Sequence, residues 1–184
     1  MDFRFMLAKT YTGQDPDGFL VAEKLDGIRA LWTGSELFSR NGNAFRAPAW
    51  FTAQLPRDIV LDGELYGGRN TLGKTSGTVR KKTPVDAEWR KIRFMTFDAP
   101  LAPGGFEARA KAARAAVAES PVAAIVEHRP AGSRKDLTEL FQQVTRAGGE
   151  GLMLRKAGSA YEPRRTAALL KIKTQSQLLK MLDG

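Results

Sequence analysis

The sequence contains no cysteine and a single histidine, His128, so it can build neither a disulfide framework nor a zinc site of thiolates or clustered imidazoles. Any metal must be held by oxygen ligands. Long apolar runs are missing too. Nowhere do about 18 apolar residues follow one another, as a membrane-spanning helix requires, and the N-terminal MDFRFMLAKTYTGQ has no continuous apolar stretch of signal-peptide length. The expectation is a soluble monomer without a membrane partner, cytoplasmic, or periplasmic had a leader been removed. Acidic residues are also in the minority: 20 Asp and Glu against 29 Lys and Arg leave a net charge of +9. Such a balance points to a polyanion, bound through phosphate neutralisation and counterion release, ahead of a charge that serves solubility alone.

What is present suits one domain. At 184 residues and 42% apolar, the chain can bury one sizeable core and is short for two full domains with linkers. From Gly18 to Phe45, alternating apolar and polar residues are broken by the turn pairs Asp26-Gly27, Thr33-Gly34 and Asn41-Gly42, which predicts a meander of short antiparallel strands. Pro48 to Leu55 reads as a short helix, and Ile59–Gly68 as a strand with charges on one face. Arg69–Pro84, rich in Gly and Lys, reads as a mobile basic loop or a short frayed helix. Ile92–Ala99 is an apolar strand. Phe106–Glu119 is an Ala-rich surface helix with its Arg and Lys on exposed positions, stopped by Pro121. A strand at VAAIVEH precedes a helix capped by Ser133, whose Leu137, Leu140, Phe141 and Val144 share one face; Gly148-Gly149 end it. Glu150–Lys156 and Ala168–Lys173 are strands, and the last residues an amphipathic tail at best. The succession predicts an α+β fold with largely antiparallel sheets.

Several short motifs carry chemistry. In Lys24-Leu25-Asp26-Gly27-Ile28-Arg29 the Asp-Gly pair is an ordinary hairpin signal. A lysine fixed on such a turn beside an arginine can also be a nucleophile, because like charge and partial burial favour the neutral amine. Asp62 and Glu64 of DGEL lie two apart on a strand and so share a face, where carboxylates can accept ribose hydroxyls or hold a divalent metal. Phe97, beside Asp98, offers an aromatic face for a purine, although a phenylalanine there equally serves a core. Glu150 starts EGLMLR. Lys171 and Lys173 point the same way and can neutralise phosphates, although a lysine pair on a strand is commonly a solvated face. His128 matches none of these motifs.

Gly68-Arg69-Asn70-Thr71-Leu72-Gly73-Lys74-Thr75 satisfies the phosphate-loop pattern GxxxxGK[ST]. Its context argues against that role. Ser76-Gly77-Thr78-Val79 are poor helix formers where a helix N-terminus would be needed, and the preceding strand carries Asp62 and Glu64 where a central parallel strand would be apolar on both faces. Arg69, Lys74, Arg80, Lys81 and Lys82 are better read as contacts to a DNA backbone.

The ordered series KLDGIR, SRNG, DGEL, FD, EGLMLR, LLKIK, spanning about Glu23 to Lys173, resembles the ATP-dependent DNA ligases of the covalent nucleotidyltransferase superfamily, and AEKLDGIRALW, SRNG and APAWF look closest to their minimal bacterial and phage types. The resemblance implies a nucleotidyltransferase (ATP-grasp-like) domain of two antiparallel sheets flanked by helices. It implies ATP as cosubstrate with Mg²⁺ or Mn²⁺, AMP carried covalently on Lys24, and nicked double-stranded DNA as partner. It also implies that Glu23 contributes to adenine recognition, Arg29 and Arg40 contact phosphate, Glu64 binds the ribose, Phe97 stacks on adenine and Glu150 binds metal, with Glu64 as a second metal ligand. Lys171 and Lys173 would bind the α-phosphate and stabilise its transition state. The family continues into an OB-fold domain; this sequence ends at Gly184, eleven residues after Lys173, so residues 1–174 are expected to form the adenylation domain, 175–184 a tail or the start of a linker, and the OB-fold to be absent.

Three other classes share parts of the pattern. An RNA ligase or GTP-using capping enzyme shares KxDGxR, a P-loop NTPase would act through Lys74, and a non-catalytic nick-binding module would bind DNA without any covalent adduct.

Overall fold

Ten strands in two five-stranded sheets, with five helices, make up the described residues, 3–174 and 177, of the computed structural model. The chain runs β1 (Leu7–Thr10), β2 (Phe19–Glu23), β3 (Ile28–Trp32), β4 (Leu37–Ser39), α1 (Ala49–Thr52), β5 (Leu61–Tyr66), α2 (Leu72–Val79), α3 (Asp86–Trp89), β6 (Arg93–Asp98), α4 (Phe106–Val117), β7 (Ala123–Ile125), β8 (Arg129–Pro130), α5 (Arg134–Arg146), β9 (Leu152–Lys156) and β10 (Arg165–Ile172). The tail expected over 175–184 lies, apart from Gln177, outside the described residues. Contacts divide the chain into two compact units, one built on Asp26–Val126, the other on Phe5–Leu25 with residues from Glu127 onward.

The first unit holds the sheet β4-β3-β5-β6-β7. Alternation fades at Ala30-Leu31-Trp32, all buried, because β3 lies between β4 and β5 and is covered. Trp32, Phe51, Leu61, Leu65, Trp89, Phe94 and Val117 form its core, in which Phe51 and Trp89 meet edge to face with ring centroids 4.9 Å apart. The second unit holds the sheet β1-β10-β9-β2-β8, against which α5 lays Leu137, Phe141 and Val144 beside Leu152, Leu154 and Ile172. Each unit thus has its own buried cluster, where length and composition predict one sizeable core. Ser133 caps α5 as expected, and Asp136 completes a capping box by accepting from the Ser133 backbone N–H.

Three expectations are corrected. The sheets are mixed: β6 and β7 pair in parallel because the helix α4 carries the chain back between them, and β1 joins β10 in parallel from the other end of the sequence, where no hairpin constrains direction. Asp26-Gly27 is no hairpin turn, since β2 pairs with β8 and β9 while β3 pairs with β4 and β5. Of the loop and the short helix both left open over Arg69–Pro84, the structure has the helix: residues 72–79 are helical despite their poor propensities, because Thr75, Thr78 and Val79 are buried and tertiary packing outweighs a weak intrinsic preference. The phosphate-loop pattern still fails, for a different reason: β5, the strand before it, is antiparallel to both its neighbours, where a phosphate loop follows a strand of a parallel sheet. Finally, Arg109 of α4 is not on the surface; it is 1% exposed.

Candidate active site

In the second unit the site grows from the end of β2. The ladder with β9 closes at Glu23 opposite Leu152, and the Lys24 backbone N–H then donates to the Gly151 carbonyl at 2.8 Å. Gly151 has φ +150° and a Cβ there would stand 2.0 Å from the Ile172 carbonyl oxygen, so only glycine lets the start of β9 pass this close to the end of β10. Glu150, the preceding residue, is thereby held between two lysines. Lys24 Nζ donates to Glu150 Oε2 at 2.5 Å, and Lys173 Nζ donates to Glu150 Oε1. Partial burial raises the Glu150 carboxyl, but hydrogen bonds from Lys173 and Lys24 and their charges outweigh it and hold the group below the ordinary glutamate range. Lys171, half-buried on β10 opposite Met153, makes no ion pair with Glu150 among the described residues. Glu23 is half-buried, its carboxylate 2.8 Å from where a Cβ on Gly149 would stand.

In the first unit the register places Arg29 of β3 opposite Glu64 of β5. Arg29 reaches the neighbouring Asp62, its Nε donating to Oδ1 and its Nη2 to Oδ2, both at 2.6 Å, while its guanidinium lies 4.8 Å from the centroid of Phe97. Asp62 is fully buried and gives both oxygens to Arg29, whereas Glu64, the other carboxylate offered from the sequence for ribose or metal, lines a cleft. Gly27 is needed for another close approach, because a Cβ there would lie 2.4 Å from the Leu65 carbonyl oxygen and 2.8 Å from Glu64 Cγ.

Around Arg29 and Glu64 opens a cleft of about 570 Å³ lined by the cations Arg29, Arg40, Arg46, Arg80, Lys81 and Lys82. Arg40 lies in the turn after β4, and Lys81 is paired with Glu88 at 2.5 Å. Arg69 and Lys74 are exposed but do not line this cleft. Sequence reasoning misses Arg46, which stands outside the SRNG motif; only the return of the chain after Gly42 brings it to the cleft.

The expected site residues are therefore divided. Glu23, Lys24, Glu150, Lys171 and Lys173 belong to the second unit, and Arg29, Arg40, Glu64, Phe97 and the basic residues from Arg69 to Lys82 to the first. The expected metal ligands Glu64 and Glu150 stand on different units, and among the described residues no group of three or more His, Asp, Glu or Cys is placed to hold a metal ion.

Comparison with known proteins identifies the fold and the family. The fold is shared with the Chlorella virus DNA ligase-adenylate, at TM-score 0.71 and 20% identity over 92% of this chain and 68% of that one. It is shared more closely with a chain described in a structure-function analysis of Lig E DNA ligases, at TM-score 0.86 and 37% identity over 95% of this chain and 70% of that one. A DNA ligase of Haemophilus influenzae is 34% identical over 171 residues, 92% of this chain but 63% of that protein, so the chain spans less than two thirds of that relative. The two-sheet architecture is that of the ATP-dependent ligase nucleotidyltransferase domains. Residues 5–173 match the family described as the ATP dependent DNA ligase domain, and the chain belongs to that family.

Proposed function

We propose that this chain forms a lysyl-AMP on Lys24 from ATP and passes the AMP to the 5′-phosphate of nicked DNA, in the service of strand joining. The observation that carries this reading is the Glu150 carboxylate shared by Lys24 and Lys173, which gathers the nucleophile and a phosphate-binding cation at one point of a chain whose residues 5–173 match the ATP dependent DNA ligase domain. In the first step Lys24 Nζ gives one ammonium proton to solvent and forms a P–N bond to the α-phosphorus, the bond to the bridging oxygen breaks, pyrophosphate leaves, and Nζ gives a second proton to solvent and keeps the third. Glu150 Oε2 is the acceptor in contact with Nζ. Because its carboxyl is held below the ordinary range it is a weak base, and its contribution is to aim Nζ rather than to drive deprotonation.

The donor set suits a metal that arrives with the nucleotide, because a small hard cation is commonly held by one or two carboxylates plus substrate phosphates. Glu150 would supply that carboxylate, and the metal would offset charge on the phosphates. Lys171 and Lys173 would carry the same task from the protein side. Glu64 would bind the ribose, Phe97 would stack on the adenine, and Glu23 would contribute to adenine recognition. Arg29, Arg40, Arg80, Lys81 and Lys82 would hold DNA or nucleotide phosphates in the basic cleft, with Arg69 and Lys74 extending the contact.

Intact-mass measurement after incubation with ATP and Mg²⁺ tests this. Wild type and Lys74→Ala should gain one AMP, and Lys24→Ala none. An increment that survives Lys24→Ala, or that forms from GTP and not from ATP, overturns the reading.

A further inference from the structure

The end of β6 contains an irregularity with a clamp behind it. Along β5 and β6, Asp62 pairs with Asp98 but the next residue, Gly63, pairs with Thr96, so Phe97 is an extra residue bulged out of the ladder. A bulge re-aims a side chain and leaves its residue without a regular partner strand to fix it. The residue after the bulge, by contrast, is held firmly. Asp98 is fully buried and Arg109 of α4 is 1% exposed. Arg109 Nε donates to Asp98 Oδ1 at 2.8 Å and Nη2 to Oδ2 at 3.2 Å, while Nη1 donates to the Gly104 carbonyl at 3.1 Å.

A permanently charged guanidinium in this setting is costly unless its carboxylate partner stays in place, so Arg109 binds Asp98, the 99–105 turn and the start of α4 into one unit. Apolar residues at 98 and 109 would pack α4 against β6 without that cost. The ion pair adds direction: it fixes where the chain leaves the bulge, and hence where the half-exposed Phe97 ring stands.

We infer that Arg109 is a positioning residue for nucleotide binding, acting through Asp98 and the β6 bulge to set the Phe97 ring against the adenine base. This rests on the adenylation reading and extends it to a side chain that touches no substrate. The test is a double-mutant cycle read as the ATP concentration giving half-maximal Lys24 adduct, with Arg109→Lys, Phe97→Ala and the pair together. Phe97→Ala should raise that concentration about tenfold, in line with loss of one base-stacking contact. Arg109→Lys, which keeps the charge but loses the fork, should raise it severalfold at a nearly unchanged maximal rate. In the Phe97→Ala background, Arg109→Lys should then have little further effect. Should Arg109→Lys fold poorly, Asp98→Asn with Arg109→Gln keeps a hydrogen-bonded neutral pair and is read in the same cycle.

Independent, multiplying losses overturn the assignment of Arg109 while leaving the adenylation reading intact, as does a fall in maximal rate at unchanged half-saturation. Wild type that takes no adduct from ATP overturns both.

Discussion

Glu150 holds Lys24 Nζ at 2.5 Å through Oε2 and gives its other oxygen to Lys173. One carboxylate therefore sets the place of two amines that follow the strands on either side of β9, β2 and β10. Replacing Glu150 by Gln keeps the shape and removes the charge that holds both. Lys24 would then wander by the order of an ångström, and misplacement of that size costs about 100-fold in rate. Single-turnover adduct formation, followed by mass, should fall by that factor in Glu150→Gln. A rate within twofold of wild type would show that the shared carboxylate does not aim the nucleophile.

The same cluster should report itself in the pH dependence of stability. The Glu150 carboxyl lies below its ordinary value of 4.5 in the folded chain, since the lysine hydrogen bonds and charges outweigh the burial that raises it. A depressed carboxyl binds fewer protons folded than unfolded near that value, so its contribution is complete above the ordinary pKa and is lost as pH falls through the folded one. The melting temperature of Glu150→Gln should therefore lie below that of wild type at pH 7, and the gap should narrow as the pH is taken below about 4. A gap that stays constant across this range would mean the substitution acts by packing alone.

How much of this is legible in the residues depends on how local the cause is. Helix α5 is readable because Ser133 starts it and Leu137, Phe141 and Val144 repeat at helical spacing, all within one segment. Lys24 and Glu150 are readable as motif members but their contact is not, because they stand 126 residues apart. Asp26-Gly27 misleads because Asp-Gly marks a hairpin only when the flanking strands pair with each other. Here Gly27 answers instead to the Leu65 carbonyl, a contact no neighbouring residue announces. Helix α2 is half legible for the converse reason: Gly73, Thr75, Gly77 and Thr78 leave loop and short helix both open locally, and burial of the threonines decides between them. Arg109 reads as a surface residue because arginine on an Ala-rich helix is ordinarily solvated, and nothing in the pattern shows Asp98 waiting for it.

Arg29 and Asp62 offer a test of the first unit by itself. Asp62 is fully buried and its paired guanidinium is 21% exposed, so removing the arginine leaves an enclosed carboxylate with its main partner gone. Breaking such a pair by removing one member costs about 3 kcal/mol, more than the pair is worth against a neutral replacement. Arg29→Ala should lower stability by about that amount in urea unfolding, and adding Asp62→Asn should restore at least about 1 kcal/mol of it. If the double variant is as unstable as the sum of the two single ones, the carboxylate was not the source of the loss.

The basic cleft makes the final prediction, because charge and sequence reading alone do not distinguish a phosphate site from a solvated face. Six cations line it, and Arg46 joins them although no motif contains it. Each phosphate that a cation neutralises adds about −0.9 to the slope of log affinity against log salt concentration. Nicked duplex DNA should bind with a slope that becomes shallower by about 1 in Arg46→Ala and again in Arg80→Ala, at the same loss for unrelated sequences. Lys111→Ala, on an exposed position of α4 outside the cleft, should leave the slope where it was. Equal changes at Arg46 and Lys111 would mean that the overall +9, rather than this cleft, attracts the DNA.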